Sequence, residues 1–239
     1  MIEIYRKSFR FARQSWIVLL LLAVLMAVAD LLLDGKQSSG GTLVVYLFLL
    51  YYFHRHFLFG ETIRSFGVQK PAEGVPPMKA GRFILVSLGV MALPLIIAVV
   101  VAIKFASPDL VEEQAVGLVM LVFFPLYLLS LSLFGTAMPA AVDRDARYSL
   151  RAGLKTTFPM MWRLLLGPGL CNALFFAAII ALAWAETRMA APLSPTAAFV
   201  ESAAISLVAF FPAIVGVATL CHVYRRIVPA TDGPAALTA

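Results

Sequence analysis

Three histidines, one Asp-x-Asp triplet and four prolines are the residues of this chain whose types and spacing could do chemistry. His54 and His56 stand near the end of one apolar run and His222 near the end of another. If those runs pack as neighbours, two imidazoles could face each other and ligate haem or a metal, or hold a quinone. Nothing in the spacing enforces that meeting. An imidazole also sits well at a membrane boundary, its body in apolar surroundings and its edge in water. No cofactor is expected.

Asp143-Arg144-Asp145 could chelate a divalent ion beside a phosphate substrate. Arg144 and Arg147 stand next to both carboxylates and can neutralise them, and no further acid follows nearby. A solvated cap without a metal is the expectation. The two cysteines, Cys171 and Cys221, make neither a CxxC nor a metal-type spacing. Gly-x-Ser-x-Gly, His-Glu-x-x-His and Walker-type loops are all missing from the sequence. A catalytic activity has no visible residues to carry it.

Pro94, Pro125, Pro168 and Pro212 each fall inside an apolar run. A proline removes a backbone donor and frees a carbonyl, which kinks a helix and can shape a cavity or hinge. Gly167-Pro168-Gly169 is the strongest such break, with Asn172, Ser130 and Ser132 as the nearest polar side chains. Hydrogen bonds between membrane helices are worth only about 1 kcal/mol each. Prolines are also frequent in membrane helices that transport nothing. Kinking and packing are therefore expected, with a substrate path as the alternative.

The elements that position these residues follow from composition. Of 239 residues, 62% are hydrophobic and 13% charged, with a mean hydropathy of +0.92; soluble domains are about half apolar and about a quarter charged. The excess is gathered into runs long enough to cross a hydrocarbon core of about 30 Å. The predicted fold is an all-α membrane protein, a single six-transmembrane-helix bundle over residues 1–228. Its spans lie at about 16–33, 42–59, 83–103, 115–138, 162–184 and 198–224, with a short flexible tail over 229–239. The first run is too long for a signal peptide and lacks a cleavage site, so it is read as retained.

Lysine and arginine counts in alternate segments set the orientation. One set of segments carries Arg6, Lys7, Arg10 and Arg13; then Arg55, Arg64, Lys70, Lys79 and Arg82; then Arg144, Arg147, Arg151, Lys155 and Arg163; and finally Arg225 and Arg226. The opposite set holds only Lys36, Lys104 and Arg188, alongside Asp30, Asp34, Asp109, Glu112, Glu113, Glu186 and Glu201. Both termini are thus expected on the cytoplasmic side of a bacterial inner membrane. The net charge of +6 needs no nucleic acid to explain it, because anionic lipid attracts basic residues at the membrane edge.

Ile2, Tyr5, Phe9, Ala12 and Trp16 recur at helical spacing, with Arg6, Lys7, Arg10 and Arg13 around the rest of the circumference. That pattern predicts a basic amphipathic helix lying in the headgroup region. Arg147, Arg151 and Lys155 stand in the same position before the fifth run, and these seven residues are the expected contacts to anionic headgroups. Arg6-Lys7-Ser8-Phe9-Arg10 echoes Arg147-Tyr148-Ser149-Leu150-Arg151 and, more faintly, Lys79-Ala80-Gly81-Arg82-Phe83. Three two-helix units are one explanation; a shared interfacial composition is the other.

Met138-Pro139-Ala140-Ala141-Val142-Asp143, Ser149-Leu150-Arg151-Ala152-Gly153-Leu154-Lys155 and Met161-Trp162-Arg163-Leu164-Leu165 together resemble the signature of the YciC-type bacterial membrane proteins. Those are related to the membrane domain attached to some glycerophosphodiester phosphodiesterases. The resemblance implies a helical inner-membrane module, and the soluble phosphodiesterase barrel has no counterpart here. The middles of the six runs carry no ionisable residue, which disfavours ion-coupled transport. A non-catalytic accessory or assembly subunit, binding lipid and other membrane proteins, is the expected function; a small-molecule or lipid permease is the alternative.

Overall fold

A computed structural model of the chain describes residues 1–32, 38–62, 75–105, 112–145, 147–157, 159, 161–186 and 194–228. All regular structure among the described residues is helical. In chain order the helices are α1 (Ile2–Gln14), α2 (Trp16–Leu32), α3 (Ser38–Phe59), α4 (Ala80–Phe105) and α5 (Glu112–Phe134). They continue with α6 (Ala137–Asp143), α7 (Leu150–Thr157), α8 (Met161–Leu164), a π-helical turn over Leu165–Gly169, α9 (Leu170–Glu186) and α10 (Pro195–Ile227).

Local chemistry accounts for several boundaries. Ser194 precedes α10 with its hydroxyl accepting from the Ala197 N–H at 3.2 Å, and Pro195 occupies the first turn, where its missing donor is not needed. Ser149 caps α7 in the same way, accepting from Ala152 at 3.2 Å. At the end of α3, Gly60 takes a positive φ of 71° while its N–H closes on the His56 carbonyl, the left-handed termination that glycine allows.

By length and composition two helices can each cross a membrane alone, within Ala80–Lys104 and Thr196–Ile227. The number rises to four if each of two bent pairs, α1 with α2 and α5 with α6, is one span. The second and fifth expected runs are present as shorter apolar helices, Leu43–Phe59 and Leu166–Ile179. Two to four such elements thus stand where six were expected. Outward faces carry Leu25, Leu85, Ile96, Ile103, Leu121 and Val200, all more than half exposed, an apolar surface suited to lipid rather than water. Asp34, Lys36, Arg64, Lys70, Asp109, Arg188 and the tail over 229–239 lie outside the described residues, as does most of the turn-rich stretch before Pro76.

Three of the four prolines lie inside continuous helices. α4, α5 and α10 run unbroken through Pro94, Pro125 and Pro212, and Pro168 sits inside the π turn. The sharp bends lie elsewhere: 73° between α1 and α2, and 48° between α5 and α6. Ser15 makes the first, its N–H bonded to Phe11 and its carbonyl already accepting from Leu19, so one helix ends where the next begins. Gly135 and Thr136 make the second. A Cβ on Gly135 would meet the Leu131 carbonyl oxygen and lie 2.6 Å from Leu220 Cδ2 of α10. Only glycine lets α5 turn against α10 at that distance.

The two-helix units that the echoing segments could mark are not equivalent. α4 packs along α5, whereas α2 packs mainly along α10 rather than along α3. Phe53, Phe83, Phe210, Ile214, Val223 and Tyr224 are fully buried between these elements.

Candidate functional site

One end of the bundle gathers most of the described polar side chains. The C-terminal ends of α3 and α10, the N-terminal end of α4, and α1, α6, α7 and α8 all meet there.

Its centre is Arg55, a fully buried residue on the last turns of α3. Arg55 Nε and Nη2 donate to the two carboxylate oxygens of Glu61 at 2.5 and 2.6 Å. Its other donors reach the Pro76 carbonyl at 3.0 and 3.1 Å, and the guanidinium lies 5.4 Å from the Phe59 ring centre. A planar fork matched to one carboxylate and one carbonyl is the arrangement that lets an arginine remain charged out of water. The link joins α3, the turn after it and the segment leading into α4. Lys79 N–H adds to it by donating to the Tyr51 hydroxyl at 3.1 Å.

The three histidines are engaged separately. His54 Nδ1 donates to the Leu50 carbonyl at 2.7 Å, and His56 Nδ1 donates to the Glu61 carbonyl at 2.7 Å with its ring against Phe11. His222 Nε2 meets Arg163 Nη1 at 2.9 Å. α3 and α10 are indeed neighbours, but the pairing of His54 or His56 with His222 is not formed. Carbonyl acceptors assign the protons of His54 and His56 to Nδ1. No cluster of three or more His, Cys, Asp or Glu suited to a metal occurs among the described residues.

Both aspartates of Asp143-Arg144-Asp145 are paired, one of them differently from expectation. Asp145 binds Arg147 at 2.5 Å, and that guanidinium holds its carboxyl down at about 2. Asp143 instead accepts from the Tyr224 hydroxyl at 2.8 Å and lies 3.7 Å from Arg225. Arg144, expected to neutralise it, turns to the Lys79 carbonyl at 3.3 Å. Arg225 also donates to the Leu58 carbonyl at 2.8 Å, so α10 is fastened to α3 and α6 at once. Cys171 and Cys221 are free thiols.

α1 docks on this end, by a different face from the one its apolar spacing suggests. Ile4, Ser8, Phe11 and Ser15 are buried against the bundle. Ile2, Phe9 and Trp16 are 86, 65 and 57% exposed, and Arg6, Lys7, Arg10 and Arg13 are exposed as well. At about 100° per residue those on α1 fall into three separate sectors of the helix: one to protein, one apolar and open (Ile2, Phe9), one basic; Trp16 lies beyond the bend, at the start of α2. The protein sector was hidden because two of its four residues are serines.

Tyr5, between the sectors, reaches the π turn. Its hydroxyl donates to the Leu166 carbonyl at 2.6 Å and lies 3.3 Å from that of Gly167. Asn172 donates to the Pro168 carbonyl at 2.7 Å. These two side chains thus add donors to carbonyls of the π turn from outside its own backbone. Tyr5→Phe removes the first cap, with an expected loss of about 1 kcal/mol in unfolding free energy and faster amide exchange at the start of α9. Unchanged exchange there would contradict the role assigned to the hydroxyl.

The three segments that resemble YciC-type proteins form α6, α7 and α8 of this end. Of the expected headgroup residues Arg147, Arg151 and Lys155, all are exposed. No family model, curated protein or solved structure matches this chain.

Proposed function

We propose that this chain is a non-catalytic, six-span module of a bacterial inner membrane. Both termini lie on the cytoplasmic side, and the module binds anionic lipid through a basic collar while serving as an accessory or assembly subunit for other membrane proteins. The observation that supports this most is the three-sector α1. An open apolar sector (Ile2, Phe9) beside an open basic one (Arg6, Arg10, Arg13), with the exposed Trp16 opening the next helix, fits a helix half-sunk among headgroups. The apolar residues enter the acyl boundary and the cations stay with the phosphates.

The polar end supports a structural role over a catalytic one, because its charged centre, Arg55 with Glu61, is closed on itself. The permease alternative rests on the π turn at Pro168. Carbonyls of that turn accept hydrogen bonds from Tyr5 and Asn172, which fits a packed turn better than a substrate path. The resemblance to YciC-type modules agrees with the accessory reading.

Each basic residue near an anionic surface is worth about 1 kcal/mol. Replacing Arg6, Arg10 and Arg13 together by glutamine is expected to reduce the preference for brominated phosphatidylglycerol over brominated phosphatidylcholine at least about tenfold. Quenching of tryptophan fluorescence in reconstituted protein measures it. An unaltered preference would remove the collar from this proposal. Reporter fusions near residues 70 and 157 test the orientation, with cytoplasmic activity expected at both.

A further inference from the structure

Arg163, half-buried at the polar end, has no carboxylate within ion-pair distance among the described residues. Its Nη1 is shared with His222, its Nε is buried and donates to nothing, and its plane lies 5.2 Å from the centre of the Trp162 ring. The charged groups facing His222 are Arg163 from α8, Arg226 from its own helix, and Lys7 and Glu3 from α1. Glu3 is already bound to Lys7 at 3.4 Å. Arg163 touches the imidazole, Arg226 follows His222 by one turn of α10, and Lys7 stands on the adjacent α1, so this end of α10 carries three positive charges against a single, committed carboxylate. Such a surplus repels itself unless an anion joins it, and a guanidinium with donors to spare is the group that holds a phosphate.

The spot is open: Arg226 is exposed, Lys7 nearly half so, and Arg163 and His222 partly. Directly beyond it, Trp162, Leu166, Leu170 and Leu174 follow one another every fourth residue and are 47, 51, 46 and 63% exposed. This ridge runs away from the cations along the π turn and α9. A cationic nest at one end of an open apolar ridge matches the two halves of one amphiphile.

We propose that Arg163, His222, Lys7 and Arg226 bind the phosphate of one phospholipid, whose acyl chain lies along Trp162, Leu166, Leu170 and Leu174. The proposal rests on the membrane reading above but concerns a single stoichiometric lipid, not the collar. Free phosphate shares the headgroup chemistry and lacks the chain, so the ridge favours the lipid.

Native mass spectrometry of the full chain in mild detergent, with added phosphatidylglycerol, tests it. Wild type is expected to retain one phospholipid. Arg163→Gln is expected to weaken retention about 10-fold to 100-fold, the range for charge-assisted contacts. Lys7→Gln with Arg226→Gln, two exposed positions that leave the fold alone, should do so independently and decides the matter if Arg163→Gln does not fold. Leu170→Asn should weaken the lipid without altering line broadening of inorganic phosphate in ³¹P spectra. Retention equal to wild type in the Lys7/Arg226 double variant would overturn the site. Phosphate binding that phosphatidylglycerol does not displace would overturn the lipid assignment. The Arg6/Arg10/Arg13 variant should keep its bound lipid, so the failure of the collar and of this site are told apart.

Discussion

Glu61→Gln is expected to lower the unfolding free energy of the solubilised protein by about 3–5 kcal/mol, because it leaves the buried Arg55 guanidinium uncompensated. The pair links α3 to the segment that leads into α4, with Arg55 fully buried and the Glu61 side chain 14% exposed. Removing one partner of such a pair is far more costly than removing both. Arg55→Met together with Glu61→Gln should therefore recover most of the loss. Equilibrium unfolding in mixed micelles gives both numbers. A single variant as stable as the wild type, or a double variant no better than the single, would mean that the pair is solvated in the membrane and contributes little.

Gly135→Ala carries the second large effect. A methyl group there collides with the Leu131 carbonyl oxygen and with Leu220 of α10. A leucine end can swing aside; a backbone oxygen in the preceding turn cannot without opening the helix. The expected cost is about 3 kcal/mol, the upper end of the usual overpacking range. Gly89→Ala in the middle of α4 is the control, since an added Cβ meets nothing within 4 Å there. Alanine's better helix propensity should make that variant neutral or slightly more stable. Equal effects at the two positions would show that the bend between α5 and α6 does not depend on the close approach.

The long helices were legible because burial in lipid is written in continuous apolar runs. α2, α3, α4 and α10 begin and end within about four residues of the expected limits, the scatter that soft span ends permit. One interruption was legible: the change at residue 15 from basic amphipathic spacing to a continuous apolar run marks the bend at Ser15. The turn at Gly135 comes from packing against α10, which no local pattern encodes. The prolines do not mark the two sharp bends, since a membrane helix can continue past a lost donor. Arg55 was counted as one more loop cation, yet its partner lies only six residues ahead. What hid it is that Glu61 follows Gly60, where the helix reverses and carries the carboxylate back over the guanidinium. The open sectors of α1 were visible in its spacing, whereas its docking face, with Ser8 and Ser15 among apolar neighbours, resembles no stripe.

α10 comes after every other described helix in the chain, and it is the one on which α1, α2, α3, α6, α7, α8 and α9 all rest. During synthesis the earlier helices are made before the surface that will join them. Arg55 can meet Glu61 as soon as their own turn has formed. Asp143, the Leu58 carbonyl and the concave side of Gly135 stay unmatched until Tyr224, Arg225 and Leu220 arrive. The last helix in the order is thus the one that joins pieces already paired among themselves, α4 along α5 and Arg55 on Glu61, into a single body.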